Sequence, residues 1–169
     1  MQFWRRKPKR SPSLYLANVD VTSASGLKKL VSDSPQLFDP VDDKLVERVL
    51  LDLVALPSLA TRSPSDGTDL ALDITVADYD RGAFLLYDAV PVAWRPEIVM
   101  TARVYSAQAN ETLVVCAVKQ KYPWNSWFRK IANWRTYVNA GWRLNADEME
   151  YLTRLTCVRL LAKVRNKLG

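Results

Sequence analysis

From Leu70 to Tyr79 the chain alternates: Leu70, Leu72, Ile74 and Val76 take one side of an extended strand, and Asp73, Thr75 and Tyr79 the other. A strand with one apolar and one polar face is buried on one side only. That restricts the fold to an antiparallel or mixed sheet with helices on a single face. Two amphipathic stretches supply the cover. Leu45, Val46, Val49, Leu50 and Leu53 recur at helical spacing and stop at Leu56-Pro57. Ahead of them stand an N-cap at Asp39, Pro40 at the first helical position and Asp42 at the positive end of the dipole. Met149, Leu152, Leu155, Val158, Leu161 and Val164 form the second stripe, opened by the capping-box pair Asn145 and Glu148. Lys163, Arg165 and Lys167 close it, where the helix dipole favours cations.

Leu14 to Val21 alternates as a first strand, and Glu97 to Ala107 as a later one, with a hairpin turn over Gln108 to Asn110. The return strand, Glu111 to Lys121, is apolar on both faces and is expected at the centre of the sheet. Asp78 is expected on the face of Leu70 to Val76 if the alternation holds. Ser25 can cap a short helix through Leu27, Leu30 and Val31, and Thr61 to Thr68 reads as a loop. In residues 80–96, Pro91 and Pro96 argue for an edge strand or an extended crossover. The expected architecture is an α+β two-layer sandwich: about four to five strands, antiparallel or mixed, with two long helices on one face. One domain spans 13–169 behind a basic arm at 1–12, with a Trp-rich helical insert at about 122–143. Leu50, Leu53, Leu72, Ile74, Val76, Val115, Leu155 and Val158 are its expected core.

Charge is divided along the chain. The net charge is +6, yet residues 11–111 are net −7; residues 1–10 are +5 and 112–169 are +8. A basic arm and a basic C-terminal third on an acidic body suit an anionic partner, or simply solubility. In the arm, Phe3 and Trp4 beside Arg5, Arg6, Lys7, Lys9 and Arg10 resemble a short peripheral anchor for an anionic surface; a solvated tail is the plainer reading. The arm also looks like the charged start of a signal peptide without the apolar segment that should follow. Two settings follow for the chain: the periplasmic side of the cell envelope, if translation begins upstream of Met1 and supplies a signal, or the cytoplasmic membrane face.

The chain has no histidine, so no Ser-His-Asp or Cys-His pair and no His-containing metal site can be built. Its two cysteines, Cys116 and Cys157, are expected as buried thiols. Neither glycine-rich phosphate-binding pattern occurs. Asp73, Asp78, Asp80 and Asp88 are the densest carboxylates, and exposed acids are the default. The expectation is a protein with no catalytic residues, no metal site and no cofactor.

Tyr122 to Arg143 carries the functional signal. Trp124, Trp127, Phe128, Ile131, Trp134 and Val138 recur on one helical face, with Arg129, Lys130 and Arg135 between them and Trp142 beyond. Four of the six tryptophans lie here, and no acid occurs between Thr112 and Ala146. Aromatic stripes at helical spacing also serve a domain's own core. Against that, the sheet and two helices already supply a core, and interleaved cations make a poor interior. Trp124, Trp127, Phe128, Arg129, Lys130, Ile131, Trp134, Arg135 and Trp142 are therefore expected as an exposed docking face. A partner protein is the first expectation, an anionic membrane surface the second and single-stranded nucleic acid the third; oligomerisation stays open.

The segments VDDKLVERVLLDLVAL, DLALDITVADYDRG, EIVMTARVYSAQANETLVVCAVKQKY and DEMEYLTRLTCVRLLAKV follow one another as helix, strand, hairpin and final helix. That order resembles the small bacterial cell-envelope domains of the TolB amino-terminal type, found also in outer-membrane lipoproteins and secretion-machine accessories. The resemblance implies a non-catalytic role in assembling or bracing an envelope complex. Two features depart from it: no lipid-accepting cysteine stands near the start, and the Trp-rich insert separates the hairpin from the last helix.

Overall fold

The computed structural model describes residues 13–21, 41–59, 69–80, 82–87, 90–133 and 144–169. Strand β1 is Leu14–Val21, helix α1 Val41–Leu53, β2 Leu70–Asp80, β3 Ala83–Tyr87 and β4 Val90–Trp94. Then come β5 Glu97–Ser106, β6 Thr112–Lys121, α2 Trp124–Ile131 and α3 Ala146–Leu168. The main sheet runs β1-β2-β5-β6; β1 is parallel to β2, and the other neighbours are antiparallel. Strands β3 and β4 pair as a separate hairpin. This is the expected α+β sandwich, and its sheet is mixed. The expected arm at 1–12, the helix after Ser25, the caps at Asp39 and Pro40 and the loop at 61–68 lie outside the described residues.

One face of the sheet builds the core. Leu72, Ile74 and Val76 from β2, Ile98, Met100, Ala102 and Val104 from β5, and Cys116 from β6 pack with Val46 and Leu50 of α1 and with the inner stripe of α3. That stripe is Met149, Leu152, Thr153, Thr156, Cys157, Leu160 and Val164. It is rolled away from the expected one. Val158 is 58% exposed and Leu155 only half-buried, because Thr153 and Thr156 take inward positions. Their hydroxyls donate to the carbonyls of Met149 and Leu152, so the buried oxygens are satisfied within the helix. The capping box at Asn145 and Glu148 forms in full.

Two strand expectations change. β6 is an edge strand, not a central one. Val114, Cys116 and Val118 face the helices, while Leu113 and Val115 are about half exposed on the open face. α3 lies along this edge: Lys163 donates to the Ala117 carbonyl at 3.0 Å and Lys167 to that of Val115 at 3.1 Å. These lysines occupy acceptors that would otherwise invite another strand. At the other edge Leu16 donates to the Pro57 carbonyl at 3.0 Å. The second change comes from a register shift between Val76 and Asp78. Beyond it Asp78 pairs with Val99, and Tyr79 with the buried Ile98. The bulge therefore turns Tyr79 into the core and moves Asp78 to the face of Asp73. Tyr79 donates its hydroxyl hydrogen bond to Asp43 of α1.

A candidate docking face on helix α2

The chain leaves β6 through Tyr122, which is buried and donates its backbone N–H to the Pro96 carbonyl at 2.8 Å. Pro123 precedes α2, where a missing N–H costs no helical bond. α2 is held in two ways. Trp127, only 1% exposed, enters the core cluster. Lys130 pairs with Glu148 of α3, a carboxylate that also accepts from the Asn145 backbone at 2.9 Å. Tyr122 donates to the same carboxylate at 3.4 Å; burial, then the Glu148 charge, raises its phenol above the ordinary value.

Gly82 shows how closely Trp127 is enclosed. Its φ is +77°, and a Cβ there would fall 2.6 Å from Pro96 Cγ and 2.9 Å from Trp127 Cη2. Only glycine fits, on conformation and on space. The Asp80 carboxylate accepts the Gly82 N–H at 2.7 Å and fixes the turn.

The expected single exposed face is thus split. Trp127 belongs to the core, Ile131 and Lys130 are half-buried, and Trp124, Phe128 and Arg129 are exposed. The reason is the roll of α2: residues three apart diverge around the helix enough for one to turn inward and the other outward. Trp134, Arg135 and Trp142 lie outside the described residues, as do Phe3, Trp4, Arg5, Arg6, Lys7, Lys9 and Arg10.

Trp124 and Phe128, one turn apart, stack with ring centroids 5.0 Å apart and planes 21° from parallel, and each is 54% exposed. Arg95, from the end of the β3–β4 hairpin, lies 4.4 Å from the centre of the Trp124 ring. Its Nε is buried without an acceptor among the described residues. Sequence reasoning missed Arg95, because only the fold brings residue 95 beside residue 124. Near this face Glu97 accepts from Lys119 at 2.7 Å and lies 3.5 Å from Lys121. Burial raises its carboxyl, but the Lys119 hydrogen bond and the two lysine charges outweigh that and hold it below the ordinary value.

Both cysteines are free and buried. Among the described residues, no group of three or more His, Cys, Asp or Glu side chains is placed to hold a metal, and no helix is long and apolar enough to cross a membrane.

Compared with known proteins, the sequence matches no protein-family model and no curated protein. Among solved structures, a candidate lipoprotein from Caulobacter crescentus is 15% identical, with 89% of each chain covered and a TM-score of 0.40. A dodecamer of PelC from Paraburkholderia phytofirmans is 10% identical over 92% of this chain and 90% of its own, with a TM-score of 0.45. A minor lipoprotein from Acinetobacter baumannii is 12% identical over 92% of each chain, with a TM-score of 0.33. None of the three is named as a TolB-type domain. These are distant likenesses, two of them to proteins described as bacterial lipoproteins, and no property of those proteins passes to this chain through them.

Proposed function

We propose that this protein is a non-catalytic docking subunit of a bacterial cell-envelope assembly and that it binds a partner protein through α2. The observation that carries the reading is the exposed Trp124–Phe128 pair with Arg95 against it. An aromatic pair held on a fixed helix loses little freedom on binding, and arginine against a ring offers both apolar area and donors. Because Trp127 and Lys130 tie α2 to the core and to α3, the pair is presented in one orientation. The lysine-capped β6 edge and the Pro57 contact at β1 favour docking by side chains over strand addition. The envelope setting rests on the resemblance of the segment order to that of TolB-type domains, and the non-catalytic role on a sequence without histidine.

The test is affinity capture from bacterial envelope extracts with the wild type and with a Trp124→Ala/Phe128→Ala variant. Loss of one discrete protein, equivalent to roughly 2 kcal/mol or more per anchor, is the expected result. Equal capture by both baits refutes the docking face. Retention on anionic liposomes in place of a protein moves the partner to the membrane surface.

A further inference from the structure

Helix α3 is apolar on two sides. Its inner stripe packs into the core, yet on the opposite side Tyr151 is 52% and Val158 58% exposed, Ala162 is exposed and Leu155 is half-buried. Positions 151, 155, 158 and 162 are spaced four, three and four residues apart, the seam of a two-helix coiled coil. A helix that only covered the sheet would be polar on this side. The cations bordering the stripe are engaged within the chain. Arg154 pairs with Glu150 at 2.7 Å, and Arg159 donates to the Gln120 side chain of β6. One turn before Tyr151 stands Asp147, and three residues after Ala162 stands Arg165, so the stripe ends in an acid and a base. Both are exposed, with no ion pair among the described residues.

This stripe complements itself. With a two-fold axis midway between Leu155 and Val158, Leu155 of one copy faces Val158 of the other. Tyr151 then faces Ala162, a large side chain against a small one. The same rotation carries Arg165 of each copy to the turn that holds Asp147 of the other. Gly169, a further turn on, reaches past the start of the opposite helix. Antiparallel helices thus set acid against base and oppose their dipoles, whereas a parallel pair in register would set acid on acid. A foreign helix could cover the apolar stripe, but the second copy matches it in spacing, in side-chain size and in charge. We propose that this protein self-associates through the outer face of α3, as a symmetric dimer of antiparallel helices. A contact made by one helix from each copy buries less than the roughly 1,200 Å² of a standard interface, so the dimer is weak. It is independent of the α2 docking face.

Sedimentation equilibrium of the full chain over roughly 5–500 µM reads the state directly. The weight-average mass should rise from that of one chain toward that of two and stop there. Val158→Glu puts a carboxylate at the centre of the seam, at a position exposed in the single chain. It should raise the dissociation constant roughly a hundredfold and leave the circular dichroism spectrum unchanged. Asp147→Arg and Arg165→Asp should each weaken the dimer roughly tenfold, and the two combined should restore it, because exchanging the ends keeps the match. Trp124→Ala/Phe128→Ala should leave self-association unchanged. A single-chain mass at every concentration overturns the proposal, even where a foreign protein proves to bind the seam. So does a dimer that Val158→Glu leaves intact, a mass that climbs past two chains, or a combined charge variant no tighter than either single one.

Discussion

Replacing Trp127 with alanine separates core from docking face. Its side chain is 1% exposed and packs in the cluster that joins the sheet to α3. An indole so enclosed removes on the order of 200 Å² from water, or ~5 kcal/mol at about 25 cal/mol per Å². Truncations of buried aromatics cost roughly 3–5 kcal/mol, since partial collapse of the cavity returns some of the loss. For a chain of 169 residues each kcal/mol moves the melting temperature by about 2–4 °C, so Trp127→Ala should melt roughly 6–20 °C lower. Trp124→Ala gives up a stacking contact and a cation–π contact at a half-exposed position, about 1 kcal/mol, and should stay within about 4 °C of the wild type. Thermal melts followed by far-ultraviolet circular dichroism measure both, and urea titrations check that the transition slope is unchanged. Should Trp127→Ala melt within about 2 °C of the wild type, or Trp124→Ala fall as far, the division of α2 into an inner and an outer face is wrong.

Cys157, the α3 cap and the β6 edge give further outcomes. Burial pushes the Cys157 thiol up to about 11 from its usual 9.0, so the native protein should resist a thiol reagent at pH 8 and react in urea. The folded state favours the neutral thiol, so its stabilising share is constant below about pH 9 and lost as pH rises toward 11; urea midpoints should fall more steeply there for the wild type than for Cys157→Ala. Asn145→Ala removes the capping box of α3 and should cost about 1 kcal/mol in urea denaturation; no change would mean that the cap contributes nothing. Lys163→Ala combined with Lys167→Ala uncovers the β6 carbonyls and should raise concentration-dependent association in sedimentation runs, whereas a variant as monodisperse as the wild type would show that the lysines do not guard that edge.

What the sequence determined by itself is what nearest neighbours along the chain decide. The alternation of β2 as far as Val76 and of β5, the stripe of α1 and the capping box of α3 each depend on side chains a few positions apart and form where their patterns lie, and the turn expected at 108–110 forms at 107–109. The aromatic periodicity of residues 124–131 likewise marks a helix that exists. Only tertiary structure decided how β6, α2, α3 and the end of β2 are turned toward the core. β6 is apolar on both faces, and its place at the edge follows from which strand pairs with β5, a choice not written in β6. Thr153 and Thr156 are polar by composition yet buried, because the helix supplies acceptors for their hydroxyls, and the α3 stripe rolls away from Val158 as a result. One bulge after Val76 exchanges the faces of Asp78 and Tyr79. On α2 the choice between Trp124 and Trp127 was made by the space beside Gly82 and Pro96, both remote in sequence, where one indole fits and the other is left outside. Periodicity gives the face of a helix to within a residue or so, and packing against distant parts of the chain settles the rest.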